Sequence, residues 1–113
     1  MDDKRIEKVS NLLKEEISNY LIKEIKDPRV HFVTILRVKV SADLHNAKVY
    51  YSVYGSEEEK KEAKKGIESA SEYIRHLLKG RVILKWIPKL NFIYDDSIEY
   101  AARIEELIKK VRT

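Results

Sequence analysis

Residues 32–54 read FVTILRVKVSADLHNAKVYYSVY, and the alternation in this stretch decides the architecture. Leu36, Val38 and Val40 fall on one side while Arg37, Lys39 and Ser41 fall on the other, as in a strand with one buried face. After the turn-forming run from Ser41 to Asn46, Ala47, Val49, Tyr51 and Val53 alternate against Lys48, Tyr50, Ser52 and Tyr54. Two such strands with a short polar connection predict a β-hairpin.

On both sides of the hairpin the period becomes helical. Upstream, Ile6, Val9, Leu13, Ile17, Tyr20 and Leu21 form an apolar stripe within Asp3 to Ile25, which Lys26-Asp27-Pro28 should end. Downstream, Ser56 and Glu59 make a capping box, and Ala63, Ile67, Ala70, Ile74 and Leu77 form the next stripe. Gly66 should weaken that helix by about 1 kcal/mol relative to alanine, and Gly80 is its expected stop. Residues 82–94 read as extended, with Pro88 marking an edge or a bulge. A last helix from Asp96 or Ser97 is expected to bury Ile98, Ala101, Ile104, Ile108 and Val111. The predicted fold is α+β: one domain over residues 1–113, helix-strand-strand-helix-strand-helix, its three-stranded sheet covered by helices on one face.

Composition narrows the function. Of 113 residues 43% are hydrophobic, enough for a modest core, and 23 Lys and Arg against 19 Asp and Glu leave a mildly basic chain. The absence of cysteine excludes disulfides and thiolate metal sites. A charged start (Met1, Asp2, Asp3, Lys4, Arg5) is unlike a signal peptide, and no apolar run approaches the roughly 20 residues of a membrane span. The expected location is the cytoplasm, with no membrane partner. His31, His45 and His76 fall in three different elements with no ligand spacing. Gly55, Gly66 and Gly80 build no phosphate loop. Asp95-Asp96 and Glu105-Glu106 read as a helix cap and a solvated face. No enzyme, metal or cofactor is expected.

Binding is the remaining reading. Arg37 and Lys39 point off the core side of the first strand, Lys48 lies on the second, and Lys85 and Lys89 on the third. Arg75, Lys79 and Arg81 add charge near the end of the middle helix. Grouped cations of this kind neutralise phosphates and release counterions, whereas singly each serves equally as a solubilising charge. Tyr50 and Tyr54 suit either base stacking or packing under a loop, and Trp86, alone in an apolar stretch, reads as core.

Several strings in this order resemble the ribosome-binding factor A family of bacterial small-subunit assembly factors. They are Asp27-Pro28-Arg29, Val33-Thr34, Ser41-Ala42-Asp43-Leu44, Ala47-Lys48-Val49-Tyr50, Ala70-Ser71 and Ile74-Arg75, then Pro88, Leu90, Phe92, Tyr94, Asp95 and Ser97. The resemblance implies a type II KH-like fold without a Gly-x-x-Gly loop. It implies an RNA-binding protein that holds the immature small ribosomal subunit at its neck, contacts its ribosomal RNA, and promotes late maturation and processing of that RNA. Growth in the cold, release by an assembly GTPase, and a monomeric state belong to the same expectation. The family's Ala-x-Gly helix kink falls on Ala70-Ser71-Glu72, where glutamate does not free the backbone as glycine does. The candidate RNA contacts are Arg29, Arg37, Lys39, Arg75, Lys79, Arg81, Lys85 and Lys89, with Arg29 alternatively bracing the helix–strand corner against Asp27 or Asp43. Asp43 and Asp95 read as turn and cap residues. A KH-like RNA-binding module acting off the ribosome, or a protein–protein adaptor, are the competing readings.

Overall fold

The chain runs through α1 (Asp3–Lys23), β1 (Val33–Val40), β2 (Asn46–Val53), α2 (Glu57–Arg81), β3 (Lys89–Tyr94) and α3 (Ser97–Arg112), with a short 3-10 turn at Pro28–Val30. The computed structural model describes residues 3–112, the side chains of Ile98, Glu99 and Arg112 excepted. The three strands form one sheet in the order β1-β2-β3; β1 and β2 pair antiparallel, β2 and β3 parallel. This is the expected α+β order of elements, and none of the described helices is long and apolar enough to cross a membrane.

The hairpin departs from simple alternation at one place. Ile35 pairs with Tyr51 and Arg37 with Tyr50, so Leu36 is an extra residue in a bulge. The bulge shifts the phase: Ile35 is buried where Leu36 was expected, and Leu36 is only half-buried. Ile35, Val38 and Val40 then share the helix-covered face with Ala47, Val49, Tyr51, Val53 and Leu90. At the hairpin tip Leu44 adopts a φ of 64°, the strained left-handed region, yet its side chain is buried. Asp43 supports this turn by accepting from the Ser41 hydroxyl at 2.6 Å and the His45 amide at 3.0 Å. Those two bonds, Ser41 foremost, hold its carboxyl below the usual range.

Two helices cover one side of the sheet. From α1 come Val9, Leu13, Ile17, Tyr20 and Leu21, and from α2 Ala63, Ile67, Ala70, Ile74, Leu77 and Leu78. A fully buried Leu13 or Ile17 stabilises the fold by about 1.5–3 kcal/mol. Buried Ser10 contributes otherwise: its hydroxyl accepts from the Val40 amide at 3.2 Å, tying α1 to β1.

The capping box at the start of α2 is complete, with the Glu59 amide bonded to Ser56 Oγ and the Ser56 amide to Glu59 Oε1. Gly66 has a packing reason. A Cβ there would stand 3.0 Å from Arg29 Cβ and from Val30 Cγ1, so any larger residue would push the 3-10 turn back by a few tenths of an ångström. The helix continues unbroken through Ala70-Ser71-Glu72. It also passes through Gly80, which has no positive φ, and ends where Val82 turns extended at φ −116°. Because the chain leaves α2 in extended form and does not reverse, no left-handed glycine stop is required.

Two further expectations are corrected. Residues 82–88 form no strand; β3 begins only at Lys89, directly after buried Pro88, and lies at an edge of the sheet. Nor does α3 bury its apolar stripe: Ala101, Ile104, Ile108 and Val111 are all exposed, Val111 at 86%. Among the described residues α1 and α2 form the covering layer, and α3 packs extensively against no other element. Ile98, expected in the same stripe, has its side chain outside the described residues.

Candidate nucleic-acid interface

Strand pairing puts opposed residues on the same side of a sheet, so the face away from the helices can be read rung by rung. Thr34 stands opposite Ser52; Arg37, Tyr50 and Ile93 share the next rung, then Lys39, Lys48 and Asn91, then Asn46 and Lys89. Four cations, one aromatic ring and two asparagines therefore line a face that neither α1 nor α2 covers. A hollow of about 350 Å³ opens there between Lys39, Ser41, Asn46, Lys48 and Asn91.

The electrostatics of this face are uneven. The Arg37 guanidinium lies 4.1 Å from the centre of the Tyr50 ring and 3.8 Å from an Asp95 oxygen. Asp95 is held below its usual range first by the Ser97 amide, with Arg37 assisting, and its Oδ1 accepts from that amide at 2.9 Å as α3 begins. Lys39, Lys48 and Lys89 are exposed and have no ion-pair partner among the described residues. Lys39 stands directly across from Lys48, a like-charge pair that works against the sheet. An anion placed between them relieves that repulsion.

The other candidate cations lie apart from this face. Arg29 closes on Asp27, with Nη2 at 2.7 Å from Oδ2 and Nε on both carboxylate oxygens, which is the bracing role. That fork lowers the Asp27 carboxyl and raises the Arg29 guanidinium. Arg75 donates to the carbonyls of Ile87 and Pro88 at 2.9 and 3.3 Å, clamping α2 to the start of β3. Arg81 bonds Glu24 at 2.9 Å and lies over the Tyr20 ring, whose hydroxyl burial pushes up to about 12. Lys79 and Lys85 are exposed near the end of α2.

Of the eight candidates, Arg37, Lys39 and Lys89 thus come together on one face, and Lys48 joins them. Asn46 and Asn91 were missed, although the same alternation that placed Lys48 also places them. Tyr50 lies on the face under Arg37, whereas Tyr54 is 86% exposed beyond the end of β2. Trp86 is not core: it is 43% exposed, because the loop 82–88 turns Val82, Leu84 and Ile87 toward the core and leaves Ile83 and Trp86 outside. Among the described residues no group of three or more His, Asp or Glu is placed to hold a metal ion.

A family model described as "Ribosome-binding factor A" matches residues 5–108. A ribosome-binding factor A from Halothermothrix orenii is 48% identical over 112 residues, which is 99% of this chain and 92% of the relative. The crystal structure of ribosome-binding factor A from Thermus thermophilus is 25% identical with a TM-score of 0.67, covering 77% of this chain and 92% of that one. A Thermus thermophilus homology model fitted into a cryo-EM map of a 30S complex of that factor is alike in fold, at 24% identity and a TM-score of 0.64. It covers 77% of this chain and 91% of that one.

Proposed function

The chain belongs to the ribosome-binding factor A family, and on that premise we propose that it binds the immature small ribosomal subunit by laying ribosomal RNA on the bare face of its sheet. In this reading it is a cytoplasmic, monomeric, non-catalytic factor. It holds one RNA conformation while late maturation and processing proceed, and an assembly GTPase then drives its release. A type II KH-like relationship of the fold belongs to the same proposal, as does a role in growth in the cold.

One observation carries the binding mode: Arg37, Lys39, Lys48 and Lys89 converge beside Tyr50 on a surface neither α1 nor α2 covers. Phosphate contacts set register and orientation without reading bases, so RNA shape supplies the specificity. The relative seen with the 30S subunit supports the choice of partner.

The test is co-sedimentation with small subunits over a salt series. Replacing Lys39, Lys48 and Lys89 together by Glu should weaken binding at least about a hundredfold and flatten the salt slope by about 2–3. Circular dichroism should show an unchanged fold. Unchanged affinity in the triple variant removes the sheet face from the interface. The exposed stripe of α3 favours a second reading, a protein–protein adaptor. That reading expects binding insensitive to salt and lost in an Ile104→Glu, Ile108→Glu double variant.

A further inference from the structure

Residues 82–88 cross from α2 to β3 without regular structure and carry two large apolar side chains outward, Ile83 at 100% and Trp86 at 43% exposure. The backbone beneath them is held. Arg75 clamps the carbonyls of Ile87 and Pro88, Pro88 is buried, and the Lys89 amide donates to the His45 carbonyl at 2.9 Å. The loop is thereby fastened to both α2 and the hairpin, and Trp86 stands on a prepared base.

Its surroundings are chemically specific. The His45 ring lies 5.1 Å from the indole at 43°, and the Lys85 ammonium sits 5.3 Å above it. Beside it opens a cavity of about 330 Å³, bordered by Arg5, Asp43, Leu44, Ile83, Lys85 and Trp86. That volume is at the lower end of the roughly 300–1,000 Å³ of small-ligand sites. An aromatic wall flanked by two cations suits a flat ring that carries a phosphate, since stacking and charge neutralisation act together.

We propose that Trp86 is the stacking wall of a site for one unpaired RNA nucleotide, separate from the bare face of the sheet. This rests on the reading that the chain binds ribosomal RNA. As the base stacks on the indole it replaces the Lys85 ammonium, which moves to the phosphate; Arg5 is the second cation at hand. Asp43, whose hairpin bonds both fall on Oδ1, lines the cavity as a group that only accepts hydrogen bonds. The site therefore favours bases with an exocyclic amine, such as cytosine or guanine, over uracil.

The chain has a single tryptophan, so its fluorescence reports on this site alone. The experiment titrates the full chain with a fluorescein-labelled, cytidine-rich single-stranded RNA of nine nucleotides, following anisotropy and tryptophan emission together. Emission should be quenched in step with the anisotropy rise. The same strand in a duplex should leave it unchanged, and a uridine-rich strand should bind more weakly. Trp86→Ala should weaken binding about tenfold to a hundredfold, and Trp86→Phe, which keeps a ring, by no more than about threefold. An anisotropy rise without quenching, or equal affinity in Trp86→Ala, overturns the nucleotide site and leaves the sheet-face reading standing. No anisotropy rise with any RNA, together with failure to co-sediment with subunits, brings down both. If Trp86→Ala loses subunit binding yet holds the oligonucleotide normally, the ring docks on protein and the proposal is wrong.

Discussion

Three of the candidate arginines, beside the helices, are engaged: Arg29 with Asp27, Arg75 with two backbone carbonyls, Arg81 with Glu24. On the bare face of the sheet the positive charge is mostly lysine, exposed and without ion-pair partners among the described residues. The planar guanidinium fork fits carboxylates and paired carbonyls and serves as an internal fastener. The ammonium is a solvated point charge that follows whatever anion arrives. Total charge hides this division. Cations left without internal work can meet a phosphate without first giving up a partner.

Arg75 is where this division of labour is most exposed to test. Arg75→Ala should cost roughly 2–3 kcal/mol of stability, the worth of charged hydrogen bonds to carbonyls, when followed by urea denaturation. Below the denaturation midpoint its subunit affinity should match the parent protein; a loss of affinity with unchanged stability would move Arg75 to the binding side of the division. A smaller effect is expected at Gly66. Alanine there gains about 1 kcal/mol of helix propensity, but the 3.0 Å approaches to Arg29 and Val30 should outweigh it. Gly66→Ala should therefore lower stability by a net of about 1 kcal/mol. The smallest effect has the opposite sign. Lys48→Thr removes the repulsion across from Lys39 and should raise stability by about 0.2–1 kcal/mol, while weakening RNA binding. Improved stability with undiminished binding would show that the pair is not kept for a ligand.

The order of elements was legible in the sequence because it rests on local signals: the stripe from Val9 to Leu21, the Ser56–Glu59 box, and the alternation from Ala47 to Val53. What escaped depended on contacts distant in sequence or on the lack of one. The bulge at Leu36 is a pairing event with β2, and nothing in Ile35-Leu36-Arg37 announces which of two adjacent apolar residues turns inward. Arg75 reads as surface charge until residues 87 and 88 are brought beneath it. Apolar spacing in α3 matches that of a buried helix, yet burial needs a second surface, which the described fold does not supply. Trp86 failed for a related reason, since the strand begins at Lys89, seven residues later than the composition of residues 82–94 suggests. For the candidate site, the shared face of Arg37, Lys39 and Lys89 was legible from alternation, whereas the internal partners of Arg29, Arg75 and Arg81 appear only in the folded chain.

The hydroxyl of Ser10 has a meaning beyond holding α1 to β1. An edge strand offers unpaired amides to any passing chain, and long open edges are templates for aggregation. Ser10 already occupies the Val40 amide at the end of β1, and on the opposite edge β3 is preceded by Pro88, which has no amide to offer. An incoming fourth strand meets an engaged donor on one side and a missing donor on the other. The same two residues that finish the sheet thus guard against its growth from one molecule to the next.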